Sequence, residues 1–168
     1  MELKKYQKEH SAIICSWIKD EKSLYQWSAG KIGDFPVEGN ALNREYASNV
    51  NSGRFIPFSA FDDNGSLAGH MYIRYPYDGD DSIVRFGFVI IDPVLRGFGN
   101  GKKMLQLAIR YAEDILYASK ITLGVFANND SARYCYEAAG FKPAGKTEIY
   151  KMPIGDWECI EMELVTGS

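Results

Sequence analysis

The passage that most constrains the fold runs from Val89 to Lys103 and reads Val-Ile-Ile-Asp-Pro-Val-Leu-Arg-Gly-Phe-Gly-Asn-Gly-Lys-Lys. An apolar run, Ile83 to Ile91, stops just ahead of Pro93; Gly97, Gly99 and Gly101 follow, and a helical pattern then begins. A proline and three alternating glycines interrupt any regular element, so the chain must leave a strand, turn, and enter a helix here. Glycines let the backbone approach a ligand closely, and a helix start presents unpaired N–H groups at the positive end of its dipole. Such a unit binds phosphate or pyrophosphate.

Its spacing separates it from two other phosphate loops. The Walker pattern needs four residues between its glycine and Gly-Lys, then Ser or Thr. Gly97 and Gly101 enclose only Phe98, Gly99 and Asn100, and Lys102 is followed by Lys103. The dinucleotide fingerprint needs a third glycine at position 102, where lysine stands. What fits is Arg-x-x-Gly-x-Gly, at Arg96, Gly99 and Gly101. Lys102 and Lys103 fall in the first helical turn, where the dipole disfavours cations and a bound anion would offset them. The plainer alternative is a surface turn with solvated lysines.

The rest of the chain places this unit in a mixed α/β layout. Leu3 to Tyr6 reads as a short strand, and Glu9 to Lys19 as a helix on the spacing of Ile13, Ile14, Trp17 and Ile18. Short helices are predicted over Ser23 to Trp27 and Asn40 to Val50, the latter with Leu42, Tyr46 and Val50 on one face. Phe55 to Phe61 and Leu67 to Tyr75 form a hairpin through Asp62-Asp63-Asn64-Gly65, since Asn-Gly accepts positive φ. Ile83 to Ile91 reads as a central strand buried on both faces. Gly101 to Tyr117 is an amphipathic helix carrying Met104, Leu105, Ala108, Ile109 and Ala112 at three- and four-residue steps. A strand over Ile121 to Phe126, a helix over Asp130 to Ala139 capped by Gly140, and strands over Phe141 to Tyr150 and Trp157 to Val165 complete the chain.

No linker or repeat divides these 168 residues, and the length suits one domain over 1–168. Three scattered cysteines, Cys15, Cys135 and Cys159, form neither a disulfide framework nor a zinc or redox spacing, so no metal is expected. A net charge of -3 gives no general attraction to nucleic acid, and no stretch approaches the ~20 apolar residues of a membrane span. With no secretion signal in the opening Met-Glu-Leu-Lys-Lys, the expectation is a soluble cytoplasmic protein with no membrane or nucleic-acid partner.

A second motif lies about thirty residues beyond the first. Asn129, Ala132, Tyr136, Gly140 and Phe141 stand between a strand and the end of a helix. Read locally, Asn129 or Asp130 caps the helix and the tyrosines pack on the sheet. Together the two passages resemble the GNAT superfamily of N-acetyltransferases. The first is similar to its acetyl-CoA pyrophosphate motif and the second to its Asn-x-x-Ala-x-x-x-Tyr-x-x-x-Gly-Phe signature. The turn Gly65 to Gly69 resembles the hairpin before the family's central strand, and the element order matches nearly the whole chain. The fold implied is a mixed, mostly antiparallel central sheet of about six or seven strands, flanked by about four or five helices.

The activity implied is direct transfer of acetyl from acetyl-CoA to a primary amine of a small molecule, peptide or protein. A non-catalytic CoA- or acyl-CoA-binding module, or a transferase of another acyl group, is the alternative. By the resemblance, backbone groups of Val89 and Ile91 pair with the pantetheine arm at a bulge where the central strand splays. Backbone N–H groups of Arg96, Gly97, Phe98, Gly99, Asn100, Gly101 and Lys102 hold the pyrophosphate, and the Asn129 side chain contacts the cofactor arm. Tyr136 is the candidate general acid for the departing thiolate. One branch of the family, resembling the ribosomal-protein alanine acetyltransferases, places a glutamate base five residues before the motif asparagine; Gly124 stands there instead. Glu148, Asp92, ordered water and bulk solvent remain open as proton acceptors. Trp27 and Tyr72 are the candidate acceptor contacts, and the acidic chain favours a cationic acceptor. Cys135, beside Tyr136, has no histidine near it in sequence to support an acyl-cysteine route. Both a monomer and a homodimer are compatible with the sequence.

Overall fold

The computed structural model describes residues 1–49 and 51–167. Its elements are β1 (Glu2–Lys5), α1 (His10–Ser16), α2 (Glu21–Ser28), α3 (Ala41–Tyr46), β2 (Phe55–Phe61), β3 (Leu67–Arg74), β4 (Ile83–Ile91), α4 (Asn100–Asp114), β5 (Lys120–Phe126), α5 (Asp130–Ala138), β6 (Lys142–Met152) and β7 (Gly155–Val165). The seven strands form one sheet in the order β1-β2-β3-β4-β5-β7-β6. Every neighbouring pair is antiparallel except β4 and β5, which α4 links as a crossover. The mixed sheet and five helices among the described residues are the architecture that the sequence implied.

Helices cover both faces. Met104, Leu105, Ala108 and Ala112 of α4 bury their side chains with Tyr136 of α5 on one face. Ile14 and Cys15 of α1, Leu24 of α2, and Leu42 and Tyr46 of α3 fill the other. The helix α5 ends in a Schellman arrangement: the N–H of Gly140 donates to Glu137 at 3.0 Å and that of Phe141 to Tyr136 at 3.0 Å, with Gly140 at φ 108°.

Two features of β4 shape the centre. It pairs with β5 only over Ile83–Arg85 against Lys120–Thr122, and beyond that the two parallel strands have no registered pairs. Against β3, Ile90 faces His70 but Gly87 faces Tyr72, so three steps of β4 oppose two of β3. Phe88 sits in this bulge at φ 50°. The extra residue reverses the alternation of side chains. Val84 and Phe86 pack beneath α4, whereas Phe88 and Ile90 pack with α1, α2 and α3.

The structure corrects several expected boundaries. The helix expected over Glu9 to Lys19 stops at Ser16, because Trp17 and Ile18 donate to Ile14 and Cys15, three residues back, at 3.1 and 3.2 Å. The helix expected to reach Tyr117 ends at Asp114, and Tyr117 turns left-handed at φ 55°. The helix expected over Asn40 to Val50 spans Ala41–Tyr46; Val50 lies outside the described residues. The central strand buries residues on both faces but not along its whole length: Val84 and Phe86 are buried on the α4 side and Phe88 and Ile90 on the other, while Ile83, Arg85, Gly87 and Val89 are half-buried. Among the described residues no helix is long and apolar enough to cross a membrane.

Candidate active-site cleft

The divergence of β4 from β5 leaves a cleft of about 820 Å³ whose walls come from β4, the loop before α4, β5, α5 and the α1–α2 corner. Its mouth is built by the chain leaving β4. The Asp92 carboxylate accepts from the N–H of Val94 at 3.1 Å and starts a single 3-10 turn over Pro93–Leu95. Gly97 and Gly99 then take φ 84° and 79°, left-handed conformations open to glycine at little cost. Side chains brace the loop from behind: Arg96 Nε donates to the Ile91 carbonyl at 3.0 Å, and Asn100 Nδ2 to that of Leu95 at 2.9 Å.

The loop leaves its donors free. Lys103 begins the helical ladder by donating to Gly99 at 3.1 Å, and α4 has no side-chain cap and no acidic residue in its first turn. Among the described residues, the N–H groups of Gly97, Phe98, Gly99, Asn100, Gly101 and Lys102 have no protein acceptor. Six unpaired donors at the positive end of a fifteen-residue helix make an anion cradle. Arg96 differs from them: its N–H donates to Pro93 at 3.4 Å, closing the 3-10 turn, so its contribution is the bracing side chain. Gly101 serves packing, since a Cβ there would stand 2.8 Å from Cys135 Sγ where α4 meets α5. Phe98 points its side chain outward and is 74% exposed.

On the walls, Val89 and Ile91 lie in the splayed part of β4 and both line the cleft. Asn129 caps α5 through Oδ1, which accepts from the N–H of Ala132 at 3.3 Å. That leaves its amide nitrogen for the cleft, so the capping and ligand readings of Asn129 are compatible. Tyr136 lines the same wall, nearly buried, and burial lifts its phenol well above the ordinary value of 10. Cys135 beside it is also raised by burial and so stays a thiol. His70 and His10 lie on the opposite face, bonded to Tyr46 and Ser59 at 2.7 and 2.8 Å. No histidine partner for Cys135 therefore emerges from the fold.

Proton acceptors are scarce here. Asp20 is the one carboxylate on the cleft wall among the described residues, and it caps α2 by accepting from Ser23 N–H at 2.7 Å. Asp92 is committed to its turn, and Glu148 is exposed on β6, away from the cleft. At Gly124 a Cβ would meet Arg85 Nη2 at 3.0 Å and Cys159 Sγ at 2.9 Å. The space that a side chain at position 124 would need is filled by an ion pair between Arg85 and Glu161.

A second cavity of about 410 Å³ lies between α3 and the strands β2 to β4. The two expected acceptor contacts are divided between the cavities: Trp27 lines the large one and Tyr72 the small one. Between them stands Phe88, on both walls, its ring 5.4 Å from that of Trp27 and 5.1 Å from that of Tyr72. Nothing in the residue pattern marks Phe88, because its role depends on a bulge that no local propensity demands. Lys31, Glu45 and Arg74, also on the small cavity, were equally hidden, being ordinary charged residues until the fold gathers them.

Comparison with known proteins bears on this geometry. A family model described as "Acetyltransferase (GNAT) family" matches residues 14–141. Mycothiol acetyltransferase of Rhodococcus jostii (strain RHA1) is 26% identical over 132 residues, spanning 74% of this chain but 43% of that protein. An N-acetyltransferase 9-like protein of Nematostella vectensis is 22% identical over 156 residues, spanning 87% of this chain and 76% of that one. Among solved structures, spermidine N-acetyltransferase from Vibrio cholerae in complex with CoA and spermine has a TM-score of 0.80. At 19% identity over 98% of this chain and 94% of that one, the likeness is one of fold.

Proposed function

The chain belongs to the acetyltransferase (GNAT) family, and from that premise we propose that it transfers acetyl from acetyl-CoA directly to a primary amine. The observation that carries this reading is the run of six unpaired N–H groups from Gly97 to Lys102 at the mouth of a cleft walled by Tyr136 and Asn129. The residues fit the cosubstrate: donors without acceptors suit a pyrophosphate. The splayed edge of β4 at Val89 and Ile91 suits an amide-bearing arm. The free amide nitrogen of Asn129 suits the same arm further in. Residues 1–168 act on this reading as one acetyltransferase domain, as a monomer or homodimer.

In the reaction the ammonium first loses one proton, and the free amine nitrogen bonds to the thioester carbonyl carbon. The nitrogen releases a second proton, which balances the one taken by sulfur, as the carbon–sulfur bond breaks. The sulfur leaves with the bonding pair and gains a proton. Tyr136 is the group that supplies that proton or a hydrogen bond to the sulfur. An alkylthiol has a pKa of about 8.5, well below a buried phenol, so full proton transfer is uphill and hydrogen-bond stabilisation carries more of its role. The amine's proton goes to water or bulk solvent, since Asp20 is engaged as a cap and no other carboxylate lines the cleft among the described residues. An unpaired N–H of the splayed strand would steady the carbonyl oxygen as charge develops on it.

Thiol release from acetyl-CoA, followed with a thiol reagent across a panel of amines, tests this directly, with calorimetry of cofactor binding alongside. Amine-dependent release is expected. Tight binding without release across a broad panel would leave a CoA-binding module; no binding at all would overturn the reading of the loop.

A further inference from the structure

We infer that the smaller cavity holds the acceptor, and that this acceptor is a small amine carrying an anionic group, carboxylate or phosphate, which Arg74 and Lys31 bind. The inference rests on the transferase reading of the large cleft.

Position comes first. Phe88 is shared by the walls of both cavities, so a molecule in the smaller one lies one aromatic ring away from the cleft. A volume of about 410 Å³ is at the lower end of small-molecule sites, which run from about 300 to 1,000 Å³. That is room for a metabolite rather than a folded protein surface. At the boundary Phe88 has a left-handed φ of 50° and packs against Trp27, Tyr46 and Tyr72. Tyr72 packs directly against Gly87, where a Cβ would come within 2.1 Å of its ring.

Charge then selects the ligand. Arg74 of β3 and Arg85 of β4 are direct cross-strand partners, so their side chains share one face. Like charges placed opposite each other destabilise a sheet unless something compensates them. Arg85 is compensated by both oxygens of Glu161, at 3.1 Å from Nη2 to Oε2, and by Thr122 Oγ1 at 3.2 Å. Arg54, also on the cavity, is held by Asp81 at 2.8 Å and by the Tyr77 carbonyl at 2.8 Å. Arg74 has no ion pair among the described residues, and neither has Lys31. Both line the cavity. Lys31 is exposed at the cavity's rim, and partial desolvation first, then Arg74, draws its ammonium below its usual range. A planar guanidinium without a carboxylate partner is matched to an anionic oxygen pair.

Two acids complete the set. Asp78 lines the same cavity at its exposed rim, and Glu45 lines it half-buried; neither has an ion pair among the described residues, and burial lifts the Glu45 carboxyl. An ammonium and an anion on one molecule would satisfy Glu45 on one side and Arg74 with Lys31 on the other. A polycation could meet Glu45 and Asp78 but would leave Arg74 and Lys31 without an anionic partner. The chain's acidic net charge, which favoured a cationic acceptor, is therefore a poor guide to this cavity.

The test measures thiol release from acetyl-CoA with β-alanine, β-alaninamide, phosphoethanolamine and spermidine. At least one anionic amine is expected to exceed the amide and spermidine in kcat/KM by about tenfold or more. The better of the two identifies the anion as carboxylate or phosphate. Arg74→Gln should raise KM for that amine by about tenfold with acetyl-CoA affinity unchanged, and Arg74→Lys should recover part of the loss, which a merely misfolded variant would not. Equal or better use of the amide or spermidine, together with indifference to Arg74→Gln, would overturn the inference and leave the transferase standing. Calorimetry of the same amines with CoA-saturated protein separates the two readings. Binding of the anionic amine that Arg74→Gln abolishes, with no thiol released by any amine, would uphold the cavity and end the transferase reading. Neither binding nor release would end both.

Discussion

The two cavities that meet at Phe88 are built from different parts of the polypeptide. The large cleft presents backbone: free N–H groups from Gly97 to Lys102 and the unpaired edge of β4 past Arg85. Its side chains mainly brace from behind, as Arg96 does for Ile91 and Asn100 for Leu95. The small cavity presents side chains: Lys31, Glu45, Arg74 and the rings of Tyr72 and Tyr75, drawn from four separate elements or loops. A backbone site binds what is constant in a ligand and changes only when the chain's path changes. A side-chain site can be rewritten one residue at a time without disturbing the sheet. On the proposed reading, one chain keeps a fixed pocket for a common cosubstrate beside an adjustable one for its acceptor.

The largest effect should come from breaking the backbone site. Gly99→Glu puts a carboxylate beside the anion cradle and forces a side chain onto φ 79°, so acetyl-CoA affinity should fall about 100-fold or more. Gly99→Ala separates these causes, because a Cβ there meets nothing within 4 Å and only a backbone cost of about 1–2 kcal/mol remains. Calorimetry reads both, and an unchanged affinity for the glutamate variant would remove the pyrophosphate assignment. A middle-sized effect is expected where side-chain chemistry enters the cleft. Tyr136→Phe should slow turnover by roughly 10- to 100-fold while leaving acetyl-CoA affinity near wild type. A rate equal to wild type across the pH range would end the role of the phenol.

The smallest effect sharpens the contrast from the face of the sheet that α1 and α3 cover, where both histidines lie. His70 is fully buried, and desolvation lowers its pKa from 6.5 to about 3. A base whose folded pKa is depressed favours protonation in the unfolded chain, so stability is intact above pH 6.5 and is lost as pH falls from there toward 3. His10 is lowered by burial as well and acts in the same direction. At pH 5.5 the His70 contribution is roughly 1 kcal/mol relative to neutral pH. Urea midpoints at pH 7.5 and 5.5 should show that drop, and His70→Gln should reduce it. Equal slopes and midpoints at both pH values would show that His70 is protonated without cost.

Legibility in the sequence followed the same division. The strand β2 runs from Phe55 to Phe61 and β4 from Ile83 to Ile91, as their apolar runs predicted, and Gly140 ends α5 with the bond pattern its residue type favours. The helices α1 and α3 came out shorter than their periodicity implied, because apolar spacing continues through turns that also face the core. Trp17 and Ile18 are buried outside α1, so burial alone had extended the pattern. Gly124 marked a missing glutamate, yet the Arg85–Glu161 pair that fills its space joins residues 76 positions apart.

What the sequence by itself determined is the loop at the mouth of the large cleft: glycines at 97 and 99, a proline at 93 and an asparagine at 129 fix local backbone geometry through steric freedom, a locked φ and a short capping side chain. These are interactions among near neighbours in the chain, and residue identity is enough to state them. The tertiary structure alone decided the small cavity. The bulge that turns Phe88 across the sheet arises from pairing with β3, and the meeting of Lys31, Glu45 and Arg74 arises from packing α3 and the loop after α2 over that pairing. Charges far apart in sequence acquire a common electrostatic purpose only when the sheet and its helices have closed around them.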